Sequence, residues 1–151
     1  MNKEKFPRGK RSVEEKRGEL RGEDLAGVWL AGADLKGADM QDANLEGADL
    51  KNAYLRNAIL EGADLIDVDL KGAKLEGAEL KDAKLVNADL RGADLKGADL
   101  TGANLSHANM QDTNLFRINL KGADLFRTNL KGVDLTGVDI SNAFLDKWAD
   151  N

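Results

Sequence analysis

The 151-residue chain contains no cysteine and a single histidine, His107. The first absence removes a disulfide framework and any thiolate-ligated metal. The second leaves no multi-histidine zinc site, and a Ser-His-Asp triad would rest on that one imidazole. No apolar run approaches the roughly 18 residues of a membrane span. The N-terminal stretch is basic but lacks the apolar segment of a signal peptide, so the expectation is a cytoplasmic protein with no membrane association. Glycine is plentiful, yet the phosphate-cradling G-x-x-x-x-G-K-[ST] never occurs. No group of residues meets the requirements of a catalytic constellation, and the chain reads as a non-enzyme without cofactor or metal.

What the chain has instead is a period. Every fifth residue from Leu20 to Leu145 is a large aliphatic, 26 consecutive positions that are all leucine except Met40, Met110 and Ile140. Two residues earlier stands a small side chain, alanine at 17 of the 24 positions from Val28 to Ala143. A helix cannot use this pattern. Five residues advance it by about 500°, so successive leucines fall ~140° apart and form no stripe. Glycine fills 14 of the 25 positions two residues after each leucine, and each would cost a helix about 1 kcal/mol. A regular strand fails as well, because strict alternation breaks every five residues.

The remaining reading is a short extended stretch and a turn, repeated. In Ala93-Asp94-Leu95-Lys96-Gly97, Ala93 and Leu95 point inward, Asp94 and Lys96 point outward, and Gly97 takes the corner. Such a corner suits a turn with φ > 0. Where glycine is missing, Asn52, Asn57, Asn87 and Asn142 often stand there, the next most tolerant choice. The core is the inward series, including Leu35, Leu55, Leu75, Ala93, Leu95 and Leu115.

The motif A-D/N-L-x-x, unbroken over about residues 20–145, resembles the pentapeptide-repeat proteins. The resemblance implies an all-β solenoid, a right-handed quadrilateral parallel β-helix in which four units close a coil of about 20 residues. Coils stacked ~4.8 Å apart let the backbone groups of each pair with the next, and about six coils make a rod about 30 Å long.

Three segments follow: residues 1–21, a basic arm and cap; residues 22–145, the repeat; residues 146–151, a C-terminal cap or tail. Ser12-Val13-Glu14-Glu15 reads as a capping box opening a short helix through about Arg17. Such a helix is placed to cover the first coil, since a solenoid exposes its core at an uncapped end. Residues 1–11, with Lys3, Lys5, Arg8, Lys10, Arg11 and Pro7, read as a solvated tail, without the interleaved aromatics that stack nucleic-acid bases. Nucleic acid is therefore not the expected partner. At the other end Phe144 replaces the usual Asp or Asn and Trp148 the usual Ala. They read as a plug over the last coil or as the contact of a C-terminal homodimer, so the chain is expected as a monomer or such a dimer.

Asp or Asn precedes the central residue at 18 of 25 positions on every side of the coil, which argues for a bond to turn backbone. The departures are Trp29, Tyr54, Ile59, Lys74, Glu79, Lys84 and Phe144. In a 20-residue coil Tyr54 lies beneath Lys74, Ile59 beneath Glu79, and outward Ile66 beneath Val86. Asp49, Asp69 and Asp89 form a column that invites a cation ladder. Lys51, Lys71 and Arg91 stand beside it and compensate the charge, so metal is not expected.

Charge is uneven. Residues 1–21 sum to +4 and residues 22–151 to −9. Sorted by side, the repeats of Leu25 and Met40 carry −4 and −5, while those of Leu30 and Leu35 carry −1 and +1. The two acidic sides are adjacent and form a stripe that includes Asp39, Asp42, Glu46, Glu61, Asp64 and Asp67, with Ile66 and Val86 among them. The expected function is a protein-binding scaffold presenting this stripe to an unidentified protein. The family resemblance implies an alternative, mimicry of DNA toward a type II topoisomerase, gyrase or topoisomerase IV, with protection against fluoroquinolones. Duplex DNA carries about 18 charges over 30 Å, twice what this body offers.

Overall fold

The computed structural model describes residues 9–145. Its architecture follows from where the five N–H groups of one unit go. In the unit of Leu70, the Asp69 N–H donates back to the Ala48 carbonyl, and those of Leu70 and Gly72 donate forward to Asp89 and Arg91. The Ala73 N–H closes a turn onto the Leu70 carbonyl at 3.0 Å. That leaves the Lys71 N–H, which donates to Oδ1 of Asp69 at 3.2 Å. All five donors are satisfied, as buried or half-buried amides require.

Repetition of this scheme pairs each residue before the central one with its counterpart 20 residues on. Twenty parallel bridges run from Asp24–Asn44 to Asp124–Phe144. Each is a single-residue bridge, so the walls consist of isolated pairings between turns and not of long strands. Tyr54 bridges to Lys74 and Ile59 to Glu79, as the coil length implies.

The corners carry the conformational cost. All 25 corner residues from Gly22 to Asn142 have φ between 54° and 74°. Glycine and asparagine are expected there, but Asp42, Asp67, Asp82, Asp112, His107, Arg117 and Arg127 adopt the same left-handed geometry. Inside, the leucine and alanine columns close into one core. Leu35, Leu55, Leu75, Ala93, Leu95 and Leu115 are all buried.

The two ends differ. At the N-terminus, helix α1, Lys10–Glu15, precedes a 3-10 turn, Arg17–Glu19. The helix starts earlier than the capping-box reading: Gly9 is its N-cap, with no side-chain cap bond, and Ser12 is a buried helical residue. An end coil has edge amides without a preceding coil, and this segment serves them. Glu14 Oε1 accepts the Asp34 N–H at 2.9 Å. The Arg17 carbonyl accepts that of Asp39, and Lys10 Nζ donates to the Ala31 carbonyl at 2.6 Å. Val13 is buried in the same core as the leucines.

At the C-terminal end the column order loosens. Asn114 and Asp134 form no bridge, although their register would allow one. Leu135, Phe144 and Leu145 are 38%, 61% and 40% exposed. Trp148, the other expected cap or dimer residue, lies outside the described residues. Among the described residues no helix is long and apolar enough to cross a membrane.

Candidate functional site

The turn-binding carboxylates and amides stand on the walls. All 18 Asp and Asn residues of the column before the central residue accept the N–H two residues on through Oδ1. Their repetition is structural, and any recognition surface must come from what departs from it.

The expected acidic stripe resolves into two groups along neighbouring corners. Asp42, Glu61 and Asp64 surround the corner shared by the two acidic sides, and the Asp42 N–H donates to the Glu61 carbonyl. Glu46, Ile66, Asp67 and Val86 follow the next corner, with Ile66 and Val86 one coil apart and both half-buried. Asp39 stands on the far column of its side, 3.3 Å from Arg21 Nε. The carboxylates are not equally available. Asp64 pairs with Lys84 at 3.3 Å, and Asp67 accepts a hydrogen bond from Asn87 at 3.1 Å. Asp42, Glu46 and Glu61 have no cation partner among the described residues.

The neighbouring aspartate column is neutralised in place. Lys51 Nζ lies 3.4 Å from Asp49 and 3.0 Å from Asp69, and Lys71 Nζ lies 3.5 Å from Asp69 and 3.1 Å from Asp89. Arg91 ends the ladder 2.7 Å from Asp89. The Arg91 guanidinium outweighs partial burial and holds the Asp89 carboxyl down at about 2. Among the described residues no group of His, Cys, Asp and Glu is arranged to hold a metal ion.

Two features escaped the sequence reading. One is an aromatic column at the C-terminal end: Phe126 meets His107 edge-on at 5.6 Å and lies 6.1 Å from Phe144. The other is a pair of clefts on the side of Leu35, lined by Lys36, Tyr54, Arg56, Lys74, Lys96 and Arg117 among others. A net charge near zero hid that side, because summing over a whole side averages its basic middle with its acidic ends.

Pentapeptide repeats match in eight copies over residues 19–57, 48–85, 83–122 and 113–147. The protein belongs to the pentapeptide-repeat family, whose members form right-handed quadrilateral β-helices. Among solved structures it is similar to trypsin-treated QnrB1, a plasmid-mediated fluoroquinolone resistance protein, at 22% identity over 88% of this chain and 86% of that one, with a TM-score of 0.55. A pentapeptide repeat protein from the Arabidopsis thaliana thylakoid lumen is 33% identical over 77% of this chain and 74% of that one, TM-score 0.37. Rfr23 from the cyanobacterium Cyanothece 51142 is 28% identical over 91% and 94%, TM-score 0.32. No curated protein sequence matches the chain.

Proposed function

We propose that this protein is a non-enzymatic scaffold that presents a rigid acidic surface to a protein partner. The observation carrying the reading is that Asp42, Glu46 and Glu61 project from two adjacent sides without cation partners among the described residues, on backbone whose amides are tied coil to coil. A surface fixed in this way loses little conformational entropy on docking, and concentrated like charge steers a basic partner. The Ile66–Val86 pair supplies apolar area beside it.

The second reading is mimicry of duplex DNA toward gyrase or topoisomerase IV. It draws on the same stripe and on the fold shared with QnrB1, a fluoroquinolone resistance protein. Its weakness is charge density, about half that of DNA.

A gyrase supercoiling assay, with and without a fluoroquinolone, separates the two. The variant needs care, because Asp39 and Asp64 accept turn amides and Asp42 and Asp67 hold left-handed corners. Asparagine keeps both properties and removes the charge, so the informative protein carries Asp39→Asn, Asp42→Asn, Asp64→Asn and Asp67→Asn with Glu46→Gln. Inhibition or drug protection by the wild type that vanishes in this protein establishes mimicry. No effect of the wild type at tens of micromolar excludes it. A captured partner that is lost on Ile66→Lys but kept by the neutralised protein would place the contact on the apolar pair and overturn the acidic-surface reading.

A further inference from the structure

The side of Leu35, Leu55, Leu75, Leu95 and Leu115 bears two adjoining clefts of about 330 and 550 Å³. The first opens between Tyr54 and Lys74 on one column and Lys36, Arg56 and Glu76 on the other. The second continues over Gly77 and Gly97, where no side chain fills the corner, to Asp94, Lys96 and Arg117. Arg56 and Glu76 line both, so the two form one groove. Five cations face two carboxylates there, on a molecule of net charge −5.

The cations are mostly unspent. Arg56 pairs with Glu76 at 2.7 Å, and Lys36 lies 3.8 Å from Asp34. Among the described residues Lys74, Lys96 and Arg117 form no ion pair, although the Lys74 charge helps to lower the Glu76 carboxyl. Lys96 and Arg117 lie over the Phe116 ring instead, at 5.7 and 5.1 Å, and Lys36 lies over Tyr54 at 5.0 Å. Arg117 takes a left-handed corner, φ 60°, in a column that otherwise holds Gly37, Asn57, Gly77, Gly97 and Gly137. Glu76 is a carboxylate shared by both clefts. Its Oε1 receives Arg56, while Oε2 is buried without a hydrogen-bond partner among the described residues. Burial pushes that carboxyl up, but the Arg56 hydrogen bond, its own backbone N–H and the charges of Arg56 and Lys74 together outweigh it and the net shift is downward.

We propose that this groove binds an acidic peptide segment in extended conformation, with carboxylates on Lys74, Lys96 and Arg117. Three coil spacings separate Lys36 from Lys96, about 14 Å, the reach of about four extended residues. A peptide fits better than a single-stranded nucleic acid for two reasons. The faces of Tyr54 and Phe116 are already covered by cations and are not free to stack bases. A nucleic acid would also bring a phosphate charge with every nucleotide against an acidic rod, whereas a peptide can place carboxylates only where the cations are.

The site is independent of the acidic stripe, and the test keeps them apart. Fluorescence anisotropy with a fluorescein-labelled Glu-Ala-Glu-Ala-Glu peptide at low salt should detect binding. The affinity should fall at least tenfold in Lys74→Glu/Lys96→Glu and stay within twofold in the stripe-neutralised protein. Amide shift mapping of the wild type with the unlabelled peptide, which needs no variant to fold, should concentrate changes between Tyr54 and Arg117 on this side. No saturation by millimolar peptide, or shifts spread over all four sides, would overturn the proposal. Tighter binding of labelled oligothymidine than of the peptide would overturn the choice of occupant.

Discussion

At the residue scale the Asp/Asn column is explained by one amide. Four of the five N–H groups in a unit have backbone acceptors, and the fifth depends on the side chain two residues before it. Where Tyr54, Ile59, Lys74, Glu79 or Lys84 stands instead, that bond is forgone and the position is released for other uses. Asp124 is the cleanest place to measure it, since it accepts the Phe126 N–H at 3.0 Å and pairs with no cation among the described residues. Asp124→Ala should destabilise by about 1 kcal/mol, the usual worth of such a bond. Asp124→Asn, which keeps Oδ1, should fall within about 0.5 kcal/mol of wild type. Urea unfolding of the three proteins checks it, and equal losses for both variants would refute the acceptor role. The corner residues teach a related lesson. Asp and His are accepted at φ near +60° because hydrogen bonds to the coils on both sides over-determine the geometry, while the corners of Arg117 and Arg127 are held by turns closed through the Ile118 and Thr128 N–H groups.

At the scale of an element, the aspartate ladder couples coils by charge. Asp89 has an ordinary value of 3.8 and is held at about 2 in the folded protein. A carboxyl lowered on folding contributes stability that is fully present above pH about 4 and is lost as pH falls toward 2. The contribution is at most about 2 kcal/mol, since each tenfold gain in acidity is worth about 1.4 kcal/mol and Asp89 is partly exposed. Arg91→Ala should therefore narrow the gap in stability between pH 5 and pH 2.5, and carboxyl-carbon NMR should show Asp89 titrating closer to 3.8. An unchanged Asp89 titration in that variant would mean that Lys71 alone holds the carboxyl down. The cap element works by hydrogen bonding, with Glu14, Arg17 and Lys10 serving the first edge as a preceding coil would.

For the whole molecule, stability should be graded along the rod, because each coil is held by its neighbours. The N-terminal edge is served by α1, whereas the last coil lacks the Asn114–Asp134 bridge and leaves Leu135, Phe144 and Leu145 exposed. Amide hydrogen exchange should accordingly be slowest between about residues 45 and 120 and fastest from residue 130 on. Protection of that end that grows with protein concentration would mark C-terminal pairing through Phe144. Protection independent of concentration would mark a plug. Uniform exchange along the rod would contradict the graded picture. The charge pattern is a property of this same scale, with an acidic edge and a cationic groove on different sides of one rigid body.

The five-residue period was sufficient to decide which residues face in, which face out and where the chain turns, and the inward ones are buried as far as Leu125. Leu35, Ala93 and their equivalents can reach a common interior only if every unit repeats the same bend. It also singled out the residues that break the rule, Tyr54 and Lys74 among them. The period cannot say how many units close a coil, because a pattern of five is the same whether three, four or five units make a turn. Closure depends on the angle of each corner, and hence on backbone geometry; the family resemblance supplied it and the bridges 20 residues apart display it. Who lies above whom could be read along the columns only once 20 residues per coil was taken from the resemblance. The alternation of Lys51, Asp69, Lys71 and Asp89 could be aligned once 20 was assumed, but the orphaned oxygen of Glu76 could not. Nor could the groove that joins Tyr54 to Arg117, since a cleft is made by the directions side chains take and not by their spacing along the chain.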